Sequence, residues 1–226
     1  MAQWLIKYAP NVVQFADVLE KAVWDTLEMM VKGGGYSFIL GLIFGTILVV
    51  TRKGGLSENK IVNGIISFFV NFLRALPFVI LIGLLKPLTR AISGTTIEVR
   101  GIIFPLVVGC TPFFIRQVEL ALSEVDSGLI EAAQAMGLSK FEIVTKVYLR
   151  ESIPSLARSV TITLISLLGL TAMAGAVGAG GIGDAVLKFG YNRNMPDITY
   201  FCVIVILIIV IIIQFTGNFV IKKTTH

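Results

Sequence analysis

The sequence predicts an all-α polytopic membrane protein with five transmembrane helices and a single long polar loop. Apolar residues make up 55% of the 226 residues and charged residues only 15%, and the mean hydropathy of +0.87 exceeds the usual soluble balance. The apolar residues gather in five runs that approach or exceed the roughly 20 residues a helix needs to cross a bilayer. A polar stretch over residues 123–154 separates the third run from the fourth. We therefore expect a single transmembrane domain over residues 1–226.

The predicted spans differ in quality. The first ends at the basic pair Arg52 and Lys53, and the second carries Pro77 inside its run. The third is short and interrupted by Pro105 and Pro112, so it must extend beyond its apolar core to cross. The fourth is rich in small and hydroxylated residues, and the fifth is the most purely apolar. The expected spans cover about residues 24–50, 62–85, 101–122, 155–176 and 196–221.

Charge and cysteine content exclude several other classes. The formal net charge is +5, but the basic residues are scattered between apolar runs rather than gathered in a stripe, so nucleic-acid binding is not predicted. Cys110 and Cys202 both lie in apolar runs, where a thiol acts as a small hydrophobe. The first ten residues lack the pattern of a cleaved signal peptide, and we expect insertion to begin with the first span.

Orientation follows the distribution of Lys and Arg around the spans. The favoured orientation places the N-terminus outside and the C-terminus in the cytoplasm. Ten basic residues then lie inside: Arg52, Lys53, Lys60, Arg116, Lys140, Lys146, Arg150, Arg158, Lys222 and Lys223. Eight lie outside: Lys7, Lys21, Lys32, Lys86, Arg90, Arg100, Lys188 and Arg193.

The polar loop predicts two short helices joined at a glycine. Asp126 or Ser127 can cap the first helix, and Gly137 suits the left-handed position that ends one. Ser139 and Glu142 form an S-x-x-E capping box that starts the second. In the first helix the apolar residues at helical spacing are Leu129, Ile130, Ala133 and Met136.

Two partners suit such a loop. An amphipathic helix can lie on the lipid surface, but carboxylates slightly outnumber basic residues here, which matches an anionic membrane poorly. A groove on another protein is the favoured partner.

The chain carries no ATP-hydrolysing site of its own by sequence. It has no G-x-x-x-x-G-K-[ST] phosphate loop. Gly178, Gly180 and Gly183 match G-x-G-x-x-G by letter, but a dinucleotide site needs a strand before this motif and a helix after it, whereas here it follows a membrane span. We expect no catalytic residue, metal site or cofactor in this chain.

The loop resembles the EAA loop of ABC importer permeases, which docks into a cleft on the ATPase subunit. The resemblance rests on Glu131, Ala132 and Ala133 followed by Gly137, and on the pair Val147 and Leu149. It assigns ATPase coupling to Glu131, Ala132, Ala133, Met136, Gly137, Ser139 and Glu142. The family usually has proline directly after that leucine, whereas this chain has Arg150 there and Pro154 four residues later.

The resemblance covers roughly residues 20–223. Within it, the chain resembles the methionine branch of these type I importers in several segments. The matching segments are Arg74 to Phe78, Thr111 to Phe113, and Ala172 to Gly183. It implies a homodimer in the lipid bilayer of the bacterial plasma membrane that works with two ABC ATPase subunits, which bind ATP and Mg²⁺, and with an extracytoplasmic methionine-binding protein. Methionine would then enter the cytoplasm by alternating access, with L-methionine as the main substrate and D-methionine as a second one.

The run of glycine and alanine after the fourth span has two interpretations. Ala172, Ala176 and Gly180 recur at four-residue spacing, and Ala174 and Gly178 form a second row with the same spacing. Both rows predict close helix packing. The same run could instead form an extended turn in which the glycines relieve backbone strain. The resemblance places Met173 at the closed outer end of the pathway, and the alternative is that Met173 fills a gap in the core.

Two further features suggest a translocation pathway. Ser159, Thr163 and Ser166 form a mildly polar stripe on the fourth span, which could line the pathway or simply bond to nearby backbone. Arg74 lies in an apolar run, where arginine costs about 2.5–3.5 kcal/mol. One interpretation places Arg74 near the cytoplasmic part of the pathway or in an interhelical ion pair that changes between states. The alternative is a snorkelling or statically paired arginine packed near Pro77.

Other transport classes stay open. A permease for another small amino acid or related solute fits the same residues. An ion-coupled secondary transporter would usually show inverted repeats and more charge at mid-membrane. A purely structural membrane subunit is a third possibility, and it predicts no substrate-dependent ATPase stimulation.

Overall fold

A computed structural model describes residues 8–224, so Lys7 of the charge count lies outside the described residues. Helices make up the architecture, and no strand occurs between residues 8 and 224. In chain order the helices are α1 Pro10–Gln14, α2 Ala16–Thr51, α3 Lys60–Ala75, α4 Phe78–Ser93, α5 Glu98–Ser123, α6 Ser127–Ala135, α7 Lys140–Ile143, α8 Leu149–Glu151, α9 Ile153–Gly175, α10 Gly181–Ala185 and α11 Pro196–Thr224. Two π-helical segments are inserted, π1 Val144–Tyr148 and π2 Val186–Tyr191.

Four single helices are long and apolar enough to cross a membrane, namely α2, α5, α9 and α11. The pair α3 and α4 passes the same test together, which raises the number to five. The all-α polytopic class predicted from the sequence is confirmed, with four apolar helices of spanning length, or five spans if the bent pair counts as one. α2 begins at Ala16, eight residues before the predicted start of the first span. The prediction followed the apolar run, but the helix also includes the more polar residues that precede this run, such as Asp17.

The second predicted span, residues 62–85, is not one straight helix. α3 and α4 meet at an angle of 113° across Leu76 and Pro77. Pro77 disfavours the helical conformation at the residue before it, and Leu76 is accordingly extended, with φ −83° and ψ 126°. The prolines of the third span act differently, because Pro105 and Pro112 lie inside the unbroken α5.

The chain divides into two compact units. The first comprises residues up to 35, 77–108 and 164–213. One of its cores joins the N-terminal part of α2 to α10 and α11, through buried residues that include Leu19, Ile182 and Ile198. A smaller core is centred on Met30 and Leu168.

The second unit comprises residues 36–76, 109–163 and 214 onward. Its main core joins α2 and α5 to the polar loop through the buried residues Val49, Phe114, Val118, Leu122, Ala133, Ile143 and Tyr148. Small residues allow this close approach. Gly41 faces the ring of Phe114, and Gly45 faces Val118.

Candidate functional site

The polar loop forms the two helices that the sequence predicts, and local capping explains where each begins. Asp126 is the N-cap of α6, and its Oδ1 accepts a hydrogen bond from the Gly128 amide at 2.7 Å. Gly137 adopts φ +78°, the left-handed conformation that glycine takes most easily. Ser139 then caps α7 in a complete capping box. Its Oγ accepts from the Glu142 amide at 3.3 Å, and Glu142 Oε2 accepts from the Ser139 amide at 3.0 Å.

Electrostatics reinforce the second helix. The hydrogen bond from Lys146, followed by those from the backbone and hydroxyl of Ser139, lowers the pKa of Glu142 from 4.5 to about 2. Glu142 Oε1 and Lys146 Nζ are 2.8 Å apart, one helical turn from each other. This carboxylate therefore stays ionised at physiological pH. Lys140 donates to Ser57 Oγ at 3.0 Å, which ties the start of α7 to the segment between α2 and α3.

The inner face of the loop is anchored to the membrane helices of its own unit. Ala133 is 1% exposed and Ile143 is 1% exposed, and both lie in the cluster with Val118 on α5. Tyr148, five residues after Ile143, is buried in the same cluster. Residues five apart in an α-helix lie roughly 140° apart around the axis, whereas the wider turn of π1 brings both to one side. Burial raises the pKa of the Tyr148 phenol, and the nearby Arg52 charge partly offsets this.

The outer face of the loop is exposed. Glu131 and Ala132 face solvent. Met136 is 72% exposed and Phe141 is 75% exposed. The predicted apolar face of α6 is therefore divided, because Ala133 and Ile130 face the bundle while Met136 points away from it. Phe141 was not among the residues predicted from the sequence, although a phenylalanine between Lys140 and Glu142 is an available signal.

Arg150 does not break the second helix of the loop. The helix runs from α7 through π1 into α8, and the irregular residue is Ser152, with φ −85° and ψ 3°. Arg150 is exposed. Pro154 lies at the second position of α9, where its missing amide costs no helical hydrogen bond.

The prediction that small residues form one face of a continuous helix is wrong beyond Gly175. α9 ends at Gly175, so Ala176, Gly178 and Gly180 cannot extend a helical row that begins at Ala172. The extended-turn alternative describes this segment. Gly178 and Gly180 have φ of +85° and +79°, and the left-handed backbone continues at Gly181 with +81°.

Glycines in this turn bring backbones together. A Cβ on Gly183 would lie 2.2 Å from the carbonyl oxygen of Ala172. The amide of Ile182 donates to Thr26 Oγ1 at 2.9 Å, and the amide of Glu98 donates to the Gly178 carbonyl at 3.0 Å. No strand precedes the glycine run within the described residues, so a dinucleotide fold is absent there.

The pathway candidates fall into two groups. Ser159 and Thr163 are buried, and their hydroxyls are satisfied by backbone. Ser159 donates to the Gln117 carbonyl at 3.2 Å, and Thr163 donates to the Ser159 carbonyl at 2.7 Å. This is the structural alternative that the sequence left open. Ser166 and Met173, by contrast, are exposed on α9, and Met173 is 51% exposed.

Arg74 lies in the last turn of α3, directly before the bend, rather than in the middle of a straight span. Its side chain is exposed and belongs to none of the ion pairs in residues 8–224. Its position at the end of a helix allows the guanidinium to compensate the free carbonyls there.

A charged cleft of about 540 Å³ opens in the first unit beside the glycine-rich turn. It is lined by charges of both signs, Lys21, Asp25, Glu28, Glu98, Arg100, Asp184 and Lys188. Lys188 and Asp184 form an ion pair of 2.7 Å. No group of three or more potential metal ligands occurs in the described part of the chain.

Comparison with known proteins gives consistent matches. Residues 37–223 match the family described as the binding-protein-dependent transport system inner membrane component. The chain is 42% identical, over all of its own length and 97% of the other, to the probable D-methionine transport system permease protein MetI of Vibrio cholerae. It is 43% identical, over 95% and 96% of the two chains, to the methionine import system permease protein MetP of Bacillus subtilis.

Solved structures agree with these matches. The fold superposes on a permease chain of the inward-facing MetNI methionine ABC transporter with a TM-score of 0.92 and 41% identity, covering 94% of this chain and 99% of that one. An amino acid ABC transporter solved with histidines shares only the fold, with a TM-score of 0.77 at 13% identity and coverage of 94% and 97%. This chain therefore belongs to the family of binding-protein-dependent transport system inner membrane components and has the type I fold of ABC importer permeases.

Proposed function

We propose that this chain is the permease subunit through which an ATP-driven importer moves methionine into the bacterial cytoplasm. The family supplies the role of permease, with the ATPase on a separate subunit. The substrate is inferred from the relatives in Vibrio cholerae and Bacillus subtilis, whose names specify D-methionine and methionine. L-Methionine is the expected main substrate, with D-methionine as a second one.

The observation that carries the proposal is the division of the polar loop into an anchored face and an exposed face. Ala133, Ile143 and Tyr148 hold the loop on α2 and α5. The opposite face presents Met136 and Phe141 to solvent. Exposed apolar side chains on a rigid, capped support suit insertion into a groove on a protein partner. We assign that groove to the ATPase subunit, with Glu131 and Ala132 at its rim.

The mechanism follows from this rigidity. Two copies of the chain would each seat one loop in one ATPase subunit. When ATP closes the ATPase dimer, the loops approach and the membrane helices turn as rigid bodies between inward-open and outward-open states. Energy passes through packing at Ala133 and Ile143, and no chemistry is required of this chain. Ser166, Met173 and Arg74 remain the proposed pathway and gate residues, whereas Ser159 and Thr163 are assigned a structural role.

The orientation assigned from Lys and Arg puts the loop in the cytoplasm and the charged cleft outside. There, charges of both signs in the cleft suit contact with a soluble substrate-binding protein, because complementary charges steer association. Lys21, Glu28 and Lys188 are the expected contacts on this chain.

The test is reconstitution with the ATPase and the binding protein in lipid vesicles. Phe141→Asp and Met136→Asp should each weaken ATPase association by about tenfold or more, because an interface anchor becomes a charge. Tyr191→Asp is a matched control, since Tyr191 is 80% exposed but lies on π2, away from the loop in sequence. Both enantiomers of methionine are supplied as substrates.

Three results would overturn parts of the proposal. Unchanged ATPase association and methionine uptake in both loop variants would refute the coupling role. Uptake without any ATPase partner would favour an ion-coupled carrier. Uptake of another small amino acid in place of methionine would refute the substrate.

A further inference from the structure

A second, smaller cavity lies within the first unit. Its volume is about 220 Å³, below the roughly 300–1,000 Å³ of sites for drug-sized ligands. It is bounded by α4, by the segment between α4 and α5, by the first turns of α5, and by Val177 of the glycine-rich turn. Its size suits a small solute. One of its lining residues, Val177, lies four residues after the exposed Met173 in the sequence.

One wall of the cavity holds a buried hydroxyl that has no partner. Thr89 is 2% exposed, and its Oγ1 makes no hydrogen bond among the described residues. A helical threonine usually bonds to a carbonyl one turn earlier, as Thr46, Thr51 and Thr163 do here. An unsatisfied buried hydroxyl costs stability. Thr89 lines the cavity, and rotation about its Cα–Cβ bond can bring this oxygen to a bound ligand that supplies the missing partner.

The same wall carries a cation. Lys86 lines the cavity one helical turn before Thr89. It belongs to none of the ion pairs found in residues 8–224. An ammonium and a hydroxyl on one face of a helix can together bind a carboxylate.

Pro87 adds an acceptor. A proline has no amide hydrogen, so the carbonyl four residues before it loses its helical partner. That residue is Gly83, which also lines the cavity. A Cβ built on Gly83 meets nothing within 4 Å, so the side-chain position of this residue is open. A carbonyl oxygen without its helical partner can accept a hydrogen bond from an ammonium group.

The remaining wall is apolar. Val79, Ile82, Pro105 and Val177 face the same space. An unbranched apolar side chain would bury its surface against these residues. The cavity thus combines hydrogen-bond donors for a ligand's carboxylate, an acceptor for a ligand's ammonium group, and an apolar wall.

We propose that this cavity is a transient binding site for the translocated α-amino acid. Lys86 and Thr89 would bind its carboxylate, the Gly83 carbonyl its ammonium group, and the apolar wall its side chain. The inference rests on the proposed function, because it takes methionine as the substrate. It assigns one site to each copy of the chain.

The test uses a diazirine analogue of methionine in which the reactive group replaces the thioether. The probe is irradiated with the reconstituted complex of permease and ATPase, and the labelled peptides are mapped by mass spectrometry. We expect labels within residues 79–105 or at Val177, and excess methionine should suppress them.

Two variants probe the site and one is its control. Gly83→Leu fills the open space, and Thr89→Val removes only the hydroxyl. Gly64→Leu is the matched control, because Gly64 is also helical and also has nothing within 4 Å. Gly83→Leu should abolish labelling, Thr89→Val should lower it by about tenfold, and Gly64→Leu should leave it unchanged. All three variants should still assemble with the ATPase, which shows that each of them folds.

The outcomes separate this inference from the proposed function. If the unsubstituted complex transports methionine but labels lie elsewhere, or Gly83→Leu labels normally, the site is refuted while the function stands. If a phospholipid co-purifies in the cavity and methionine fails to displace it, the site belongs to lipid and the inference is wrong. If the unsubstituted complex transports no methionine, the proposed substrate fails first.

Discussion

Gly45 makes a sharp test of the packing that supports the polar loop. In Gly45→Ala the new Cβ would lie 2.6 Å from Val118 Cβ and 2.9 Å from the carbonyl oxygen of Ile115. Favourable carbon contacts lie near 3.5–4.0 Å. A side chain could rotate away, but the Ile115 oxygen is backbone. α2 and α5 must therefore separate in the second unit.

The magnitude follows from two opposing effects. Overpacking of this kind costs about 1–3 kcal/mol. Alanine in place of helical glycine returns up to about 1 kcal/mol. With the full gain, the expected net loss is about 0–2 kcal/mol of unfolding free energy. Gly64→Ala is the control, because its Cβ meets nothing within 4 Å and only the gain from helix propensity applies.

The assay is thermal unfolding of the purified protein in detergent, with the variants compared in parallel. At about 2–4 °C per kcal/mol for a chain of this length, Gly45→Ala should melt several degrees below Gly64→Ala. The coupled ATPase rate should also fall, because Val118 belongs to the cluster that anchors Ala133. Gly45→Ala melting at or above Gly64→Ala would refute the reasoning.

Three further predictions concern the glycine-rich turn and the loop. Thr26→Val removes the acceptor of the Ile182 amide and should lower the free energy of unfolding by about 1–3 kcal/mol. Thr26→Ser keeps the hydroxyl and should retain most of the parent's stability. Equal melting temperatures for the two variants would contradict this prediction. In Gly137→Ala the new Cβ meets no atom within 4 Å, but alanine is strained at a φ of +78°. The variant should lose about 1–2 kcal/mol of unfolding free energy in the same thermal unfolding assay. A variant as stable as the parent would show that this position does not require glycine. The pKa of Glu142 is lowered to about 2 from 4.5 by its hydrogen bond with Lys146, so its stabilisation is complete above pH 4.5 and is lost as pH falls towards 2. The difference in stability between the parent and Glu142→Gln should therefore stay constant from pH 8 to pH 5, and a difference that narrows in that range would count against the assignment.

Features set by neighbouring residues could be predicted from the sequence. The caps of α6 and α7 depend on Asp126, Ser139 and Glu142, which act on amides only two or three residues away. Gly137 was recognisable because few other residues accept a left-handed φ. Such short-range chemistry is unaffected by how the long helices pack.

Features that depend on distant contacts could not be predicted. Pro105 and Pro112 lose amide donors yet lie in an unbroken helix, because packing in a bundle compensates the lost bonds. Pro77 instead turns the chain by 113°. The sequence alone does not distinguish these cases. Likewise, periodic spacing placed Ala176 on a helix that ends at Gly175.

The candidate site shows the same limit. Hydroxyls at helical spacing predicted a polar stripe, but the partners of Ser159 and Thr163 are backbone carbonyls. Whether a hydroxyl is satisfied depends on the atoms around it, which residue spacing does not give. Thr89 carries no sequence signal, and it became a candidate only because its oxygen lacks a partner.

The π-helical segment Val144–Tyr148 is a position where related chains can differ by the insertion or deletion of one residue. A π turn holds one residue more than an α turn. Deleting a residue from an ordinary helix rotates everything after it by roughly 100°. Deleting one inside π1 would restore an α-helix and leave the flanking Ile143 and Leu149 facing as before. Related chains can therefore gain or lose a single residue at 144–148 while keeping the same surfaces turned towards the bundle.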